Sequence, residues 1–256
     1  MKARNINLIL FAVTLVILIA IPFVSGKLFK INQDAPWQFS PFNSGDSLSV
    51  AYKERYRVLD QYALLRQIED STRTTVSVMV DGWGVPYDEE ILAEDFALFD
   101  EKTTQFALHK RLLGHTAHAE TVEMRTGFEG GLSVTSGDSA KCAQLEAQPR
   151  FGTKQMFCCL NCTDKEVAGS LDSLLADTTW KRMEWTAHET SLGDREKLHP
   201  LLHQLAEIAA RHPEVQFIIQ GTHRPILGTP ETRRKYNAHW VPAVFINCSL
   251  KNESDE

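Results

Sequence analysis

One carboxylate and three histidines fall where apolar runs of this chain stop or start. Asp81 ends the run Thr74-Thr75-Val76-Ser77-Val78-Met79-Val80 and is followed by Gly82-Trp83-Gly84. His188 lies in Thr186-Ala187-His188-Glu189-Thr190, and His223 in Gly221-Thr222-His223-Arg224. His239 lies in Asn237-Ala238-His239-Trp240-Val241-Pro242. Carboxylate oxygen and imidazole nitrogen are the donors that hold zinc and similar divalent ions. Taken singly, an Asp-Gly after a strand is an ordinary turn, and a lone His is usually a hydrogen-bonded or capping residue. Several such residues at comparable positions point to a site for one or two divalent cations, with zinc the first candidate.

For these side chains to meet, the runs ahead of them must be strands of one sheet, because ligands of an open parallel sheet gather outside its C-terminal strand ends. Thr74–Val80, Gln155–Leu160, Arg182–Thr186, Val215–Gln220 and Val241–Asn247 read as strands. Helical spacing covers Ala51–Asp70, interrupted at Arg66, then a stretch through Leu92, Phe96 and Phe99, and Asp164–Ala176. In Asp194–Arg211, Leu198, Leu201, Leu202, Leu205, Ile208 and Ala209 share a face, and Pro200 favours a helix start near itself. Alternation of strand and helix predicts an α/β fold, a mostly parallel sheet flanked by helices. His239 precedes its strand, so it reaches the common edge only if that strand runs antiparallel or its loop folds back. Residues 114–151, rich in Gly, Ser and Thr, give no clear period.

The N-terminus sets the compartment. Lys2 and Arg4 precede a run from Ile6 to Val24 without charge, near the length of about 20 residues that crosses a bilayer. Val24-Ser25-Gly26 makes a poor cleavage site, which favours a retained single-pass anchor over a cleaved signal sequence; either reading exports the rest. We therefore read 1–31 as anchor or signal, 32–50 as a polar linker and 51–256 as an extracytoplasmic α/β domain. A net charge of −6 carries no basic footprint and argues against nucleic acid as a partner. Hydrophobic content of 43% is that of a globular chain.

Export makes disulfides the default for Cys142, Cys158, Cys159, Cys162 and Cys248, with one cysteine left over. We expect Cys142 to pair with one of Cys158, Cys159 or Cys162. The C-x-x-C within that cluster leaves thiol redox chemistry or zinc as the alternative. Asn161, Asn247 and Asn252 begin glycosylation-type triplets.

The order and form of the four strand-end motifs resemble the alkaline phosphatase superfamily, which includes sulfatases, phosphoethanolamine transferases and cofactor-independent phosphoglycerate mutases. Asp81-Gly82-Trp83-Gly84 resembles the opening metal-binding strand, in the form found in the mutases. Thr186-Ala187-His188-Glu189 resembles a ligand loop before a long helix, and His239-Trp240-Val241-Pro242 the late His before a Val-Pro strand. Gly221-Thr222-His223 stands where the family has Asp-His-Gly. Thr222 thus replaces the second acid, which implies an incomplete site or one built for a single ion. The resemblance implies metal ligation by Asp81, His188, His223 and His239. It also implies a Thr or Ser nucleophile at a helix start, where a metal and the helix dipole favour the alkoxide. Thr121 fits that role first and Thr116 second, with Arg125 placed to hold an anionic group.

The function this implies is hydrolysis or transfer of a phosphate or sulfate ester beside a membrane, on envelope glycans, lipid head groups or small esters. A different class competes with it: the same fold kept as a non-catalytic binding or assembly subunit of an envelope complex. A thiol or zinc module at Cys158–Cys162 is the third reading.

Overall fold

In the computed structural model the elements follow the order α1 (Val50–Arg55), β1 (Arg57–Leu59), a 3-10 turn (Leu64–Gln67), β2 (Thr75–Val80) and α2 (Glu89–Phe96). Then come β3 (Thr104–Lys110), β4 (Gly131–Gly137), β5 (Thr153–Leu160), α3 (Asp164–Leu175) and β6 (Arg182–Ala187). The chain closes with α4 (Arg195–Arg211), β7 (Gln216–Gly221), α5 (Pro230–Arg234) and β8 (Trp240–Ile246). The structure describes residues 48–59, 64–110, 131–137, 139–140, 142–143, 153–160, 162–176, 180–187, 195–225 and 229–251. All lie within one compact unit, 43–256. The apolar N-terminal run, Thr116, Thr121, Arg125 and His188 fall outside the described residues. Among those described, no helix is long and apolar enough to cross a membrane.

The eight strands form one sheet in the order β1-β3-β8-β7-β2-β6-β4-β5. β2 lies between β7 and β6, parallel to both, with Thr75 level with Gln216 and Arg182. The expected parallel relation of those three runs is therefore present. β8 is antiparallel to both β3 and β7, which makes the sheet mixed and satisfies the condition for His239: the residues leading into β8 arrive at the edge where β2 and β7 end.

Alternation along β2 explains the layering. Val76, Val78 and Val80 join Phe217 and Ile219 in the larger core, which also takes Leu92 and Phe96 of α2, Val167 and Leu171 of α3, and Leu202, Leu205 and Ile208 of α4. The opposite face carries a smaller cluster of Leu59, Leu64, Ala107, Ile218, Ala243, Phe245 and Leu250. All six residues of β2 and of β7 are buried, as strands covered on both faces must be.

Three expectations need correction. The helix expected over Ala51–Asp70 stops at Arg55; Tyr56 is extended, and Arg57–Leu59 pair with Ala107–His109 instead. The tyrosine stripe suits either conformation locally, and the gain from sheet pairing decides. α4 starts at Arg195 and keeps Pro200 inside, because burial of Leu202, Leu205, Ile208 and Ala209 outweighs one missing backbone donor. No strand is expected from the sequence at β3 or β4: β4 lies within 114–151, the stretch without a clear period, and β3 lies ahead of it.

Cys159 and Cys162 form a disulfide, Cys142 is itself disulfide-bonded, and Cys248 is free. The Cys159–Cys162 bond takes both of those residues out of the expected set of partners for Cys142. Asn247 has φ 56° and donates from Nδ2 to the Val215 carbonyl at 3.1 Å, so its amide is already engaged in the fold. Asn161 and Asn252 lie outside the described residues.

His109, one residue before the end of β3, is enclosed, with Nδ1 3.0 Å from the Lys110 carbonyl. Burial holds its imidazole at about 4, below the usual value near 6.5. Between those values the unfolded chain binds a proton that the folded chain does not. Stability from this residue is therefore complete above about pH 6.5 and is lost as pH falls towards 4, by on the order of 3 kcal/mol. His109→Phe should flatten that part of the profile, read from urea unfolding at pH 7 and pH 4.5; an unchanged slope would contradict the burial argument.

Candidate functional site

The site is built by two strand-end loops that interlock. After β2 the chain turns at Asp81 and Gly82; Gly82 has φ 78°, a conformation a side chain would strain. Trp83 then passes over the end of β7. A Cβ on Gly221 would stand 1.9 Å from the Trp83 carbonyl oxygen, and one on Gly84 would stand 2.7 Å from the Arg224 Cα. The glycines of Asp81-Gly82-Trp83-Gly84 and Gly221-Thr222-His223 thus let two backbones touch. Pro242 contributes from β8: the β7 ladder stops at Ala243, one residue short of the proline, which has no N–H to give. The Thr222 N–H is still held by the Val80 carbonyl at 3.2 Å, which sets Thr222 beside Asp81.

There the side chains converge. Thr222 Oγ1 donates to Asp81 Oδ1 at 2.6 Å, and His223 Nε2 lies 3.6 Å from the same oxygen. The side chains of Asp81 and His223 are only 8% and 3% exposed. His223 Nδ1 is 2.8 Å from the Arg224 carbonyl, a contact that requires the proton on Nδ1 and turns Nε2 toward Asp81. Thr222 therefore puts a hydroxyl against Asp81 where a second acid would put a charge.

His239 stands at the same sheet edge. Asn237 Oδ1 accepts from the backbone N–H groups of His239 at 2.8 Å and Trp240 at 3.2 Å, fixing the turn into β8. The Asn237 N–H in turn donates to the Val85 carbonyl at 2.7 Å, tying this turn to the Asp81 loop. Among the described residues, no three His, Cys, Asp or Glu side chains converge closely enough to hold an ion. The described pair is Asp81 with His223.

A second polar group, which the sequence does not announce, supports this loop from below. Trp83 Nε1 donates to Asp95 Oδ2 at 3.1 Å, and Asp95 Oδ1 meets Arg195 Nη2 at 3.0 Å. Arg195 also reaches Glu94 at 3.2 Å. Burial pushes the Asp95 carboxyl up, opposed by Arg195 and by the Trp83 indole. Arg195 opens α4, directly after the segment that carries His188, so one buried carboxylate ties the β2 loop to that helix. Nothing in Glu89–Phe96 marks Asp95 beforehand, since a helical acid reads as a solvated face. Asp95→Ala would strand the enclosed Trp83 N–H, at a cost of about 1–3 kcal/mol. Urea unfolding should show that loss for Asp95→Ala and a smaller one for Asp95→Asn, which keeps an acceptor. Equal loss in the two would place the effect in charge rather than in the hydrogen bond.

A cavity of about 310 Å³, lined in part by Phe99, Thr104, His203 and Glu207, opens where β3 begins and β8 ends, at the opposite edge from Asp81. It takes no part in this site.

A mixed sheet with a carboxylate, a hydroxyl and an imidazole gathered at its C-terminal strand ends places polar groups where open α/β sheets take ligands. No protein-family model and no curated protein sequence matches the chain. Among solved structures, it is similar to the lipoteichoic acid synthase LtaP from Listeria monocytogenes, with 9% identity, a TM-score of 0.46 and coverage of 75% of this chain and 72% of that one. It is similar to a protein in the alkaline phosphatase superfamily from Vibrio parahaemolyticus, with 8% identity, a TM-score of 0.46 and coverage of 72% of this chain and 62% of that one. The C-terminal periplasmic domain of EptC from Escherichia coli, in complex with Zn, is similar with 11% identity, a TM-score of 0.43 and coverage of 71% and 75%. Likeness at this level shows the fold alone and transfers no residue roles.

Proposed function

We propose that this chain is a metal-dependent transferase or hydrolase of phosphate esters, acting outside the cytoplasm and tethered through its N-terminal apolar run. The observation that carries the reading is the buried Asp81–Thr222–His223 group at the C-terminal strand edge, with His223 Nε2 turned to Asp81 Oδ1. A carboxylate beside an imidazole whose other nitrogen is held by a backbone carbonyl is a donor set that suits zinc and related ions. Asp81 and His223 would hold the ion, with His239 and His188 as further ligands. Bound there, a divalent ion supplies Lewis-acid stabilisation of charge on a phosphoryl oxygen.

The residues of the chain do the remainder. The Thr222 hydroxyl orients Asp81, and the Arg224 carbonyl keeps the His223 proton on Nδ1. Thr121 is assigned as the nucleophile and Arg125 as the anion-binding residue, on the sequence resemblance alone. Thr222 in place of an acid leaves less negative charge than a two-ion site requires, which supports a single ion. Envelope glycans, lipid head groups and small phosphate esters are the substrate class.

The purified full chain should carry about one equivalent of divalent metal by elemental analysis and cleave or transfer a phosphate ester. Thr121→Ala should keep the metal and lose turnover. A protein that folds, takes up no metal and turns over no ester would instead be the non-catalytic binding subunit, the role the missing acid favours.

A further inference from the structure

The Cys159–Cys162 disulfide lies outside the site described above. Cys159 is the next-to-last residue of β5, and Cys162 directly precedes Thr163, the N-cap of the twelve-residue helix α3. Among the described strands β5 stands at the end of the order, with β4 as its one neighbour. Both cysteines are half-buried, and Leu160 between them is 58% exposed. The bond thus sits at a sheet edge with an apolar residue presented beside it.

Three observations set this bond apart from a structural cross-link. Its cysteines are three residues apart, and so short a loop restrains little of the unfolded chain, because that effect grows with loop length. Cys162 stands at the start of a helix, where unpaired N–H groups and the helix dipole favour a thiolate. The Glu166 carboxylate accepts from the Thr163 N–H at 2.7 Å and hydroxyl at 2.9 Å, which fixes the first turn of α3 directly beside Cys162. The free thiol elsewhere, Cys248, is half-buried, and desolvation pushes it up to about 12, so it does not compete as a nucleophile.

We propose that Cys159–Cys162 is a thiol–disulfide exchange site for an external dithiol. A thiolate of the dithiol attacks Cys159 Sγ, forming a mixed disulfide. The S–S bond breaks and Cys162 leaves as the thiolate, the better leaving group at the helix start. The second thiol of the dithiol then attacks its own mixed-disulfide sulfur, releasing Cys159. Two electrons pass to the protein: the dithiol becomes a disulfide, and after protonation both cysteines are thiols.

The test uses the full chain in detergent, equilibrated across graded ratios of dithiothreitol to its oxidised form. Differential alkylation and peptide mapping then report each cysteine. Cys159 and Cys162 should be reduced at a dithiol ratio at least tenfold lower than Cys142, a difference of about 30 mV for a two-electron couple. Circular dichroism should stay native throughout. With glutathione alone, the trapped mixed disulfide should map to Cys159. The double replacement Cys159→Ser, Cys162→Ser should keep the native spectrum and melt within a few degrees of the parent. Reduction of Cys159 and Cys162 only alongside or after Cys142, or only with loss of native structure, would overturn the proposal. So would unfolding of the double variant, which would make the bond a structural one.

Discussion

Asp81→Ala should lower zinc affinity at least 100-fold, about 2.7 kcal/mol, in titration calorimetry on the full chain. Asp81 is the carboxylate of the described site, and its oxygen is shared by Thr222 at 2.6 Å and His223 at 3.6 Å. Removing it takes away the charge that balances the ion and also leaves the Thr222 hydroxyl without its acceptor. The apo protein should therefore lose about 1–2 kcal/mol, the penalty of a buried polar group deprived of its partner. Asp81→Asn separates the two effects: the amide oxygen still accepts from Thr222, so stability should be nearly restored while zinc binding stays weak. Unchanged zinc affinity in Asp81→Ala would end the metal reading and favour the binding-subunit one.

Gly221→Ala should destabilise the fold by about 3 kcal/mol or more, beyond the usual cost of overpacking a core. The added methyl would sit 1.9 Å from the Trp83 carbonyl oxygen, 3.0 Å from its carbon and 3.1 Å from Pro242 Cδ. Backbone and a proline ring cannot swing aside as a flexible side chain does, so the β2 loop itself must lift. Zinc binding should weaken with it, because Asp81 rides on that loop. Gly84→Ala meets the Arg224 backbone at 2.7 Å and should act in the same direction. Gly169, within α3, has nothing within 4 Å of an added Cβ, so Gly169→Ala should stabilise by up to about 1 kcal/mol through helix propensity alone. Melting curves of the three variants check the series; a Gly221→Ala protein as stable as the parent would refute the interlocked-loop account.

Local chemistry made much of this legible. The β-branched run into Asp81 and the apolar run into Gly221 are strands because few other conformations bury such sequences on both sides. α3 and α4 follow from leucines recurring at helical spacing. The glycines at 82, 84 and 221 stand beside the candidate site residues in the sequence, but no local pattern states which backbones they let touch. The sequence also stated the condition under which His239 joins the edge; the antiparallel direction of β8 met it.

Contacts between distant residues were not legible. Tyr52 and Tyr56 fit a continuing helix, yet pairing of Arg57–Leu59 with Ala107–His109 ends it at Arg55, and no local pattern encodes a partner fifty residues away. A sequence separation of 100 between Asp95 and Arg195 hides the ion pair that supports Trp83 in the same way. The sequence by itself determined the central strands β2, β6 and β7, the helices α3 and α4, and which side chains fall at those strand ends, because periodicity and backbone preference act over a few residues. Only the tertiary structure decided that Thr222 donates to Asp81, that His223 turns its Nε2 there, and that Asp95 holds the loop. Those contacts depend on strand order and direction, which are settled when the sheet closes around its core.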